Sequence, residues 1–284
     1  MTDPKVPHIA TVPDLRQQVR TWRKAGERVG LVPTMGALHD GHLALVRQAK
    51  ARADRVVTSI FVNPAQFAPH EDFDRYPRTL DSDLELLGPT GCDLVWAPTV
   101  SAMYPAGFAT RVVPAGAAEG LESDFRPHFF GGVATVCCKL FTQVAPDFAL
   151  FGEKDYQQLC VMRQLVRDLD LPLEIVGAET IREADGLALS SRNRYLTVAE
   201  RAIAPTLNRA IVDVARAVGN GADIEAACAK ASAEIVAAGF AKVDYVAVRE
   251  ADTLAPVGHG GTAARRVLAA AWLGKTRLID NVPA

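Results

Sequence analysis

The chain has few cysteines and no pattern among them. Its five, Cys92, Cys137, Cys138, Cys160 and Cys228, are odd in number and include no C-x-x-C pair. That argues against a disulfide framework and offers no zinc or redox signature. Cys137 and Cys138 stand in the apolar stretch "VATVCCKLF", a setting for small core residues rather than ligands. Neither sign of charge dominates: 31 Lys and Arg against 33 Asp and Glu leave a formal −2. A polyanion-binding surface is not expected, and nucleic acid is not the principal partner. No uninterrupted apolar run approaches the roughly 18 residues of a membrane span. The opening "MTDPKVPHIA" lacks the apolar core of a secretory signal. A cytoplasmic protein with no membrane partner is the expectation.

What is present is enough to build a sizeable core. The 284 residues are 49% hydrophobic and 23% charged, which suits one large domain or two ordinary ones. Over residues 1–180, helical and strand-like patterns alternate. "PDLRQQVRTWRKAG", "GHLALVRQAKARA" and "TLDSDLELLGPTG" read as helices; "RVGLVP", "VVTSIFVNP", "CDLVWAP", "DFALFG" and "LEIVGAET" read as strands. These strands are continuously apolar rather than alternating, so both faces of the sheet are covered. The pattern predicts an α/β domain, a Rossmann-like doubly wound parallel sheet joined by right-handed crossovers.

Residues 181–284 differ in character. "TVAERAIAPTLNRAIVDVARAVGNG" opens on a capping-box pattern, Thr197 to Glu200, and carries a helix that Pro205 kinks or restarts. "ADIEAACAKASAEIVAAGF" is a second, alanine-rich helix. "KVDYVAVRE", "RRVLAAAWLG" and "KTRLIDNV" then read as strands with no crossover helix between them. A smaller α+β domain with an antiparallel sheet, covering the site of the first, is the expected arrangement.

Ligands of open parallel sheets bind at the carboxyl ends of the strands. Three polar clusters, "TMGALHDGH", "NPAQF" and "GEKDYQQ", each follow a strand directly, and "READGLALSSRNR" lies just past the last one. One site built from several loops follows. His39 and His42 fall where a helix begins, and its free N–H groups and dipole favour an anion there; Gly41 would let a ligand approach the backbone closely. Taken locally, the pair fits a phosphate site, a structural pair or a two-histidine metal site. The metal reading lacks a third-ligand pattern such as HExxH. Asn63 and Gln66 are neutral amides suited to hydroxyls and carboxylates, or else parts of a turn begun by "NP". Lys154 is a point cation suited to a phosphate that moves during reaction, and Asp155 can bind ribose or orient the lysine. Ser190, Ser191 and Arg192 set two hydroxyls beside a guanidinium, a combination that grips phosphates.

A strand followed by His-x-Gly-His opening a helix resembles the nucleotidyltransferase superfamily. "PTMGALHDGH", "FVNPAQF", "YPRTLDSD", "FGEKDYQQL" and "DGLALSSRNRYL", in this order, resemble the pantothenate synthetase family. The motif His-x-Gly-His alone is weak; the five blocks together are specific and span most of the chain. The resemblance implies condensation of pantoate with β-alanine, using ATP and magnesium (Mg2+), through a pantoyl-adenylate. It implies an ATP site from Met35, His39, His42, Gly152, Lys154, Asp155, Ile181, Leu189, Ser190, Ser191 and Arg192. His39, His42 and Lys154 carry the catalytic roles. Pantoate falls to Gln66 and Gln158, with Asn63 and Met35 beside them. Tyr76 and Arg126 match positions near the substrate or a closing loop, and Asp83 matches an acid implicated in magnesium binding. The family is commonly a homodimer.

One block departs from the family pattern. Many relatives read Arg-Pro-x-His-Phe-x-Gly-Val, whereas "RPHFFGGV" puts Phe129 at the histidine and His128 one place earlier. A role carried by that histidine does not transfer to Phe129.

Overall fold

Strands that are apolar on both faces need a helical layer on each side, and that requirement sets the architecture. The computed structural model describes residues 5–68, 73–258 and 262–284. The first unit runs β1 (His8–Ile9), α1 (Val12–Lys24), β2 (Val29–Thr34), α2 (Asp40–Lys50), β3 (Arg55–Ile60), α3 (Leu80–Leu87) and β4 (Leu94–Trp96). Two single-turn helices, α4 (Val100–Met103) and α5 (Glu122–Phe125), precede α6 (Phe129–Val144), β5 (Phe148–Gly152), α7 (Tyr156–Asp168) and β6 (Glu174–Ala178). The short edge strand β1 carries no sequence signal of its own.

Six parallel strands form the sheet in the order β1-β4-β3-β2-β5-β6. Successive strand residues alternate between two cores, as the pleat dictates. Leu31, Val57, Ala149 and Phe151 face one, with Leu15, Val19 and Trp22 of α1 and the apolar faces of α6 and α7. Val32, Val56, Phe148 and Leu150 face the other, with Leu43 and Val46 of α2 and Leu84 and Leu87 of α3. A fully buried Leu or Phe contributes roughly 1.5–3 kcal/mol, so a register slip in any of these strands would be prohibitive. The doubly wound expectation holds. Cys137 is buried in the first core, where burial pushes its thiol up to about 12, the state of a small apolar side chain.

The second unit contains α8 (Val198–Ile203), α9 (Thr206–Gly219), α10 (Ile224–Ala237), β7 (Lys242–Glu250), β8 (Arg265–Leu273) and β9 (Thr276–Pro283). Thr197 and Glu200 form the capping box reciprocally, Glu200 N–H to Thr197 Oγ1 at 3.2 Å and Thr197 N–H to Glu200 Oε2 at 2.8 Å. Pro205 restarts the helix, since α8 ends at Ile203 and α9 begins at Thr206. The sheet β7-β8-β9 is antiparallel. Leu207, Ile211 and Val214 of α9, Ile235 of α10 and Val267 and Ala269 of β8 form its core. Leu268 of β8 instead joins the first unit's core. Among the described residues, no helix is long and apolar enough to cross a membrane.

Candidate active site

Neighbouring strands β2 and β5 mark where the chain's winding reverses, the topological switch point at which open α/β sheets bind ligands. A cleft of about 1160 Å³ opens there between the two units. That exceeds the ~300–1,000 Å³ usual for one small ligand, leaving room for more than one ligand. Met35, His39, His42, Gln66, Tyr76, Arg126, Gly152, Lys154, Asp155 and Gln158 all line it. So do Ile181, Leu189, Ser190, Ser191 and Arg192. Asn63 and Asp83 do not.

His39 is the N-cap of α2, and its Nδ1 accepts the Gly41 N–H at 3.2 Å. Only a neutral imidazole can accept there, which leaves Nε2 as the ring's N–H donor. A Cβ on Gly41 would sit 2.9 Å from the His39 ring, so the missing side chain makes room for this cap, and Gly41 itself lines the cleft. The His42 ring lies 4.1 Å from that of His39, centroid to centroid. Burial first, then the cations Lys154 and Arg194, push His39 down to about 4. Burial, then His39 and Lys154, push His42 down to about 3. Both rings are therefore neutral hydrogen-bonding groups near pH 7. Among the described residues the His42 Nδ1 is buried without a partner; unpaired buried groups in native structures call for a reason, of which a catalytic role is one.

Asn63 is 1% exposed and fully engaged. Its amide donates to Gln66 Oε1 at 2.9 Å and to the Gly132 carbonyl at 3.2 Å, and its oxygen accepts from the Tyr104 hydroxyl and the Ala65 N–H. The expected pantoate contact at Asn63 is thus corrected. The residue orients Gln66, whose oxygen it occupies, so that the Gln66 amide nitrogen remains as donor. Helix α6 presses against this turn so closely that a Cβ on Gly132 would come 2.1 Å from the Ala65 carbonyl oxygen. Arg126 donates to the Gln66 carbonyl at 3.0 Å and to Glu122 at 3.1 Å, and lies 4.0 Å over the Phe129 ring. Phe129 faces the cleft while His128 is exposed and outside it. His128 therefore does not take the place of the family histidine; an aromatic platform under Arg126 stands there instead.

Lys154 follows β5 in a 3-10 turn, Glu153–Asp155, with its ammonium 3.7 Å from the Asp155 carboxylate. The C-terminal sheet holds this turn. The Asn281 amide donates to the carbonyls of both Glu153 and Lys154 at 2.9 Å, while Arg266 reaches Glu153 and stacks 3.9 Å over Tyr156. Ile181 and Leu189 close a small hairpin, Leu189 N–H to Ile181 carbonyl at 3.0 Å. Arg182 ties that hairpin to Asp280 of β9 at 2.7 Å. Ser190 caps the following turn by accepting the Arg192 N–H at 3.3 Å, keeping its own O–H as a donor. Asn281 and Arg266 were missed by sequence reasoning. Polar residues inside the apolar strands "RRVLAAAWLG" and "KTRLIDNV" were the available signal.

Asp83 also departs from expectation. It is 1% exposed, and its oxygens accept the backbone N–H of Leu38 at 2.9 Å and of Ala37 at 3.0 Å and the Thr79 hydroxyl at 3.1 Å. A magnesium ligand must present a carboxylate oxygen to the cleft; this one is turned into the loop. Asp81 is exposed and pairs with Lys5 at 3.5 Å, a solvated acidic face. Among the described residues, no three His, Cys, Asp or Glu converge as metal donors. The residues do not form a protein cage for magnesium.

An open α/β sheet brings paired neutral histidines, a lysine and a serine-arginine turn together at its switch point, a candidate anion site beside an amide-lined one. This is the architecture of an α/β enzyme with a candidate anion site at its sheet's switch point. Residues 7–283 match the model of the pantoate-beta-alanine ligase family, and the chain belongs to that family of carbon–nitrogen ligases. It is 60% identical to the pantothenate synthetase of Mesorhizobium japonicum, over 99% of this chain and 98% of that protein. A crystal structure of pantothenate synthetase from Thermus thermophilus superposes with a TM-score of 0.90 at 46% identity, covering 98% of this chain and 99% of that one. A pantoate-beta-alanine ligase from Francisella tularensis, crystallised with beta-gamma ATP and β-alanine, gives 0.82 at 32% identity, covering 98% and 97%.

Proposed function

We propose that this ligase joins pantoate to β-alanine at the expense of ATP, through a pantoyl-adenylate, with AMP and pyrophosphate as the other products. The observation that carries this reading is the convergence of His39, His42 and Lys154 with Gln66 and Gln158 in one cleft at the β2/β5 switch point. The ATP and β-alanine of the Francisella complex support the same assignment.

In the first step a pantoate carboxylate oxygen attacks the α-phosphorus, the bond to the bridging α–β oxygen breaks, and pyrophosphate departs. Negative charge grows on the phosphate oxygens, and donors already fixed in place stabilise it without reorganisation. Neutral His39 and His42 suit that task, because they bind charge without exchanging protons. Lys154, on a flexible stem, follows the moving phosphate; Ser190, Ser191 and Arg192 hold the triphosphate tail. Gln66, with its oxygen held by Asn63, presents N–H to pantoate, and Gln158 faces it. In the second step the neutral β-alanine amine attacks the acyl carbon, forms the C–N bond, expels AMP and loses a proton to solvent. Magnesium belongs to this reading as an ion held by nucleotide oxygens and water, with no protein cage. A homodimer in the cytoplasm belongs to it as well.

Isotope exchange between pyrophosphate and ATP tests the intermediate. Exchange without β-alanine that depends strictly on pantoate is expected, with AMP appearing only when β-alanine is added. Exchange indifferent to pantoate would refute the proposed order of events.

A further inference from the structure

We infer that Asp83 is a positioning residue for the loop carrying Met35 and His39, and not a ligand to magnesium. The inference rests on the reading of that loop as the floor of the ATP-phosphate site. The loop leaves β2 at Thr34 and enters α2 at Asp40, and two consecutive residues within it are left-handed, Gly36 at φ +81° and Ala37 at φ +51°. Alanine pays a steric penalty in that region, so something outside the loop must hold it there.

The Asp83 carboxylate does so. Consecutive N–H groups of Ala37 and Leu38, at 3.0 and 2.9 Å, point into one carboxylate, the geometry in which turn N–H groups bind an anion. Thr79, one turn earlier at the start of α3, donates its hydroxyl to the same carboxylate at 3.1 Å and keeps it aimed. The approach is tight: a Cβ on Gly36 would lie 3.0 Å from Asp83 Oδ2 and 3.1 Å from Ile60. The bracing carries directly into the site. Leu38 is followed by His39, whose carbonyl accepts the N–H of His42 at 2.8 Å and of Leu43 at 3.1 Å. Fixing Ala37 and Leu38 thus fixes where α2 begins and where both imidazoles stand. Each carboxylate oxygen is already bonded and the residue is outside the cleft, so direct ligation would require the loop to come apart.

The test is a magnesium titration of pantothenate formation by wild type, Asp83→Asn and Thr79→Val at saturating ATP. Asp83→Asn sets an amide donor against a backbone donor; displacement of the histidines by even ~1 Å can cost about a hundredfold in rate. We expect turnover to fall at least about tenfold by that mechanism, with the magnesium midpoint and the KM for pantoate within about twofold of wild type. A metal-ligand role would instead raise the midpoint by about 10–100-fold, as losses in a metal site do, and excess magnesium would restore turnover; that result overturns the proposal. Should Asp83→Asn fail to fold, Thr79→Val decides. Lower turnover at an unchanged midpoint supports positioning, and wild-type turnover refutes it. A wild-type enzyme without pantoate-dependent pyrophosphate release would overturn the parent reading instead, separately from any change confined to the variants.

Discussion

Replacing Asn281 with alanine tests whether the C-terminal sheet builds the active site or merely roofs it. The Asn281 amide donates to the Glu153 and Lys154 carbonyls, each at 2.9 Å, and its oxygen accepts from Arg266 Nε at 2.7 Å, in a position 3% exposed. Two neutral hydrogen bonds at about 1 kcal/mol each and one to a guanidinium at about 1.5–3 total roughly 3.5–5 kcal/mol. Water entering the vacated volume re-solvates part of what is exposed, so about 2–4 kcal/mol should be measured. For a chain of this length that is a melting-temperature loss of about 4–8 °C. The turn carrying Lys154 loses its only two described ties to β9 through this amide, so turnover should drop more than the affinity for pantoate, whose proposed contact Gln66 stands on the separate turn after β3. Asn281→Asp sharpens the test: it keeps an acceptor for Arg266 but turns a carboxylate on two carbonyls, and should impair turnover at least as much as alanine. Differential scanning calorimetry and steady-state AMP formation measure the two effects. A melting temperature within 1–2 °C of wild type (~1 kcal/mol or less) together with unchanged turnover would show that β9 does not hold the lysine turn.

Two further outcomes follow from the geometry. The folded histidines sit near 4 and 3 against about 6.5 unfolded, so between these values the unfolded chain binds more protons. Stability should fall as pH drops below about 6.5, by at most ~1.4 kcal/mol per pH unit for each of these half-buried imidazoles and less after solvent screening. Denaturation midpoints at pH 7 and pH 5, with NMR of the ring protons, check this; an imidazole titrating near 6.5 in the folded enzyme would contradict it. Gly132→Ala would drive a Cβ toward the Ala65 carbonyl, 2.1 Å away before relaxation. Displacement of the Asn63–Gln66 turn should raise the KM for pantoate at least several-fold while the KM for ATP changes little. An unchanged pantoate KM would mean that this turn does not hold the substrate.

Legibility followed the range of the interaction concerned. Continuous apolar strands such as "RVGLVP" and "DFALFG", the capping box at Thr197 and the break at Pro205 are local signals, and each appears in the structure where the residues put it. The edge strand β1 did not register because two residues carry no periodicity. The histidine pair, the lysine turn and the serine-arginine turn were legible as motifs because each follows an element boundary. Their convergence in one cleft also followed from the general rule for parallel sheets.

The sequence by itself therefore determined the doubly wound sheet, the α+β appendage, the family and most of the cleft lining, since hydrophobic period, caps and ordered motifs are all written along the chain. Only the tertiary structure decided what the polar side chains do. Asn63 and Asp83 sit in motifs beside the cleft, yet they serve the backbone and neighbouring side chains. Asn281, more than a hundred residues from Lys154, holds its turn. The physical reason is that a carboxamide or carboxylate has the same chemistry facing a ligand or an N–H group. Orientation and burial choose between those partners, and both are fixed by contacts between residues far apart in the chain.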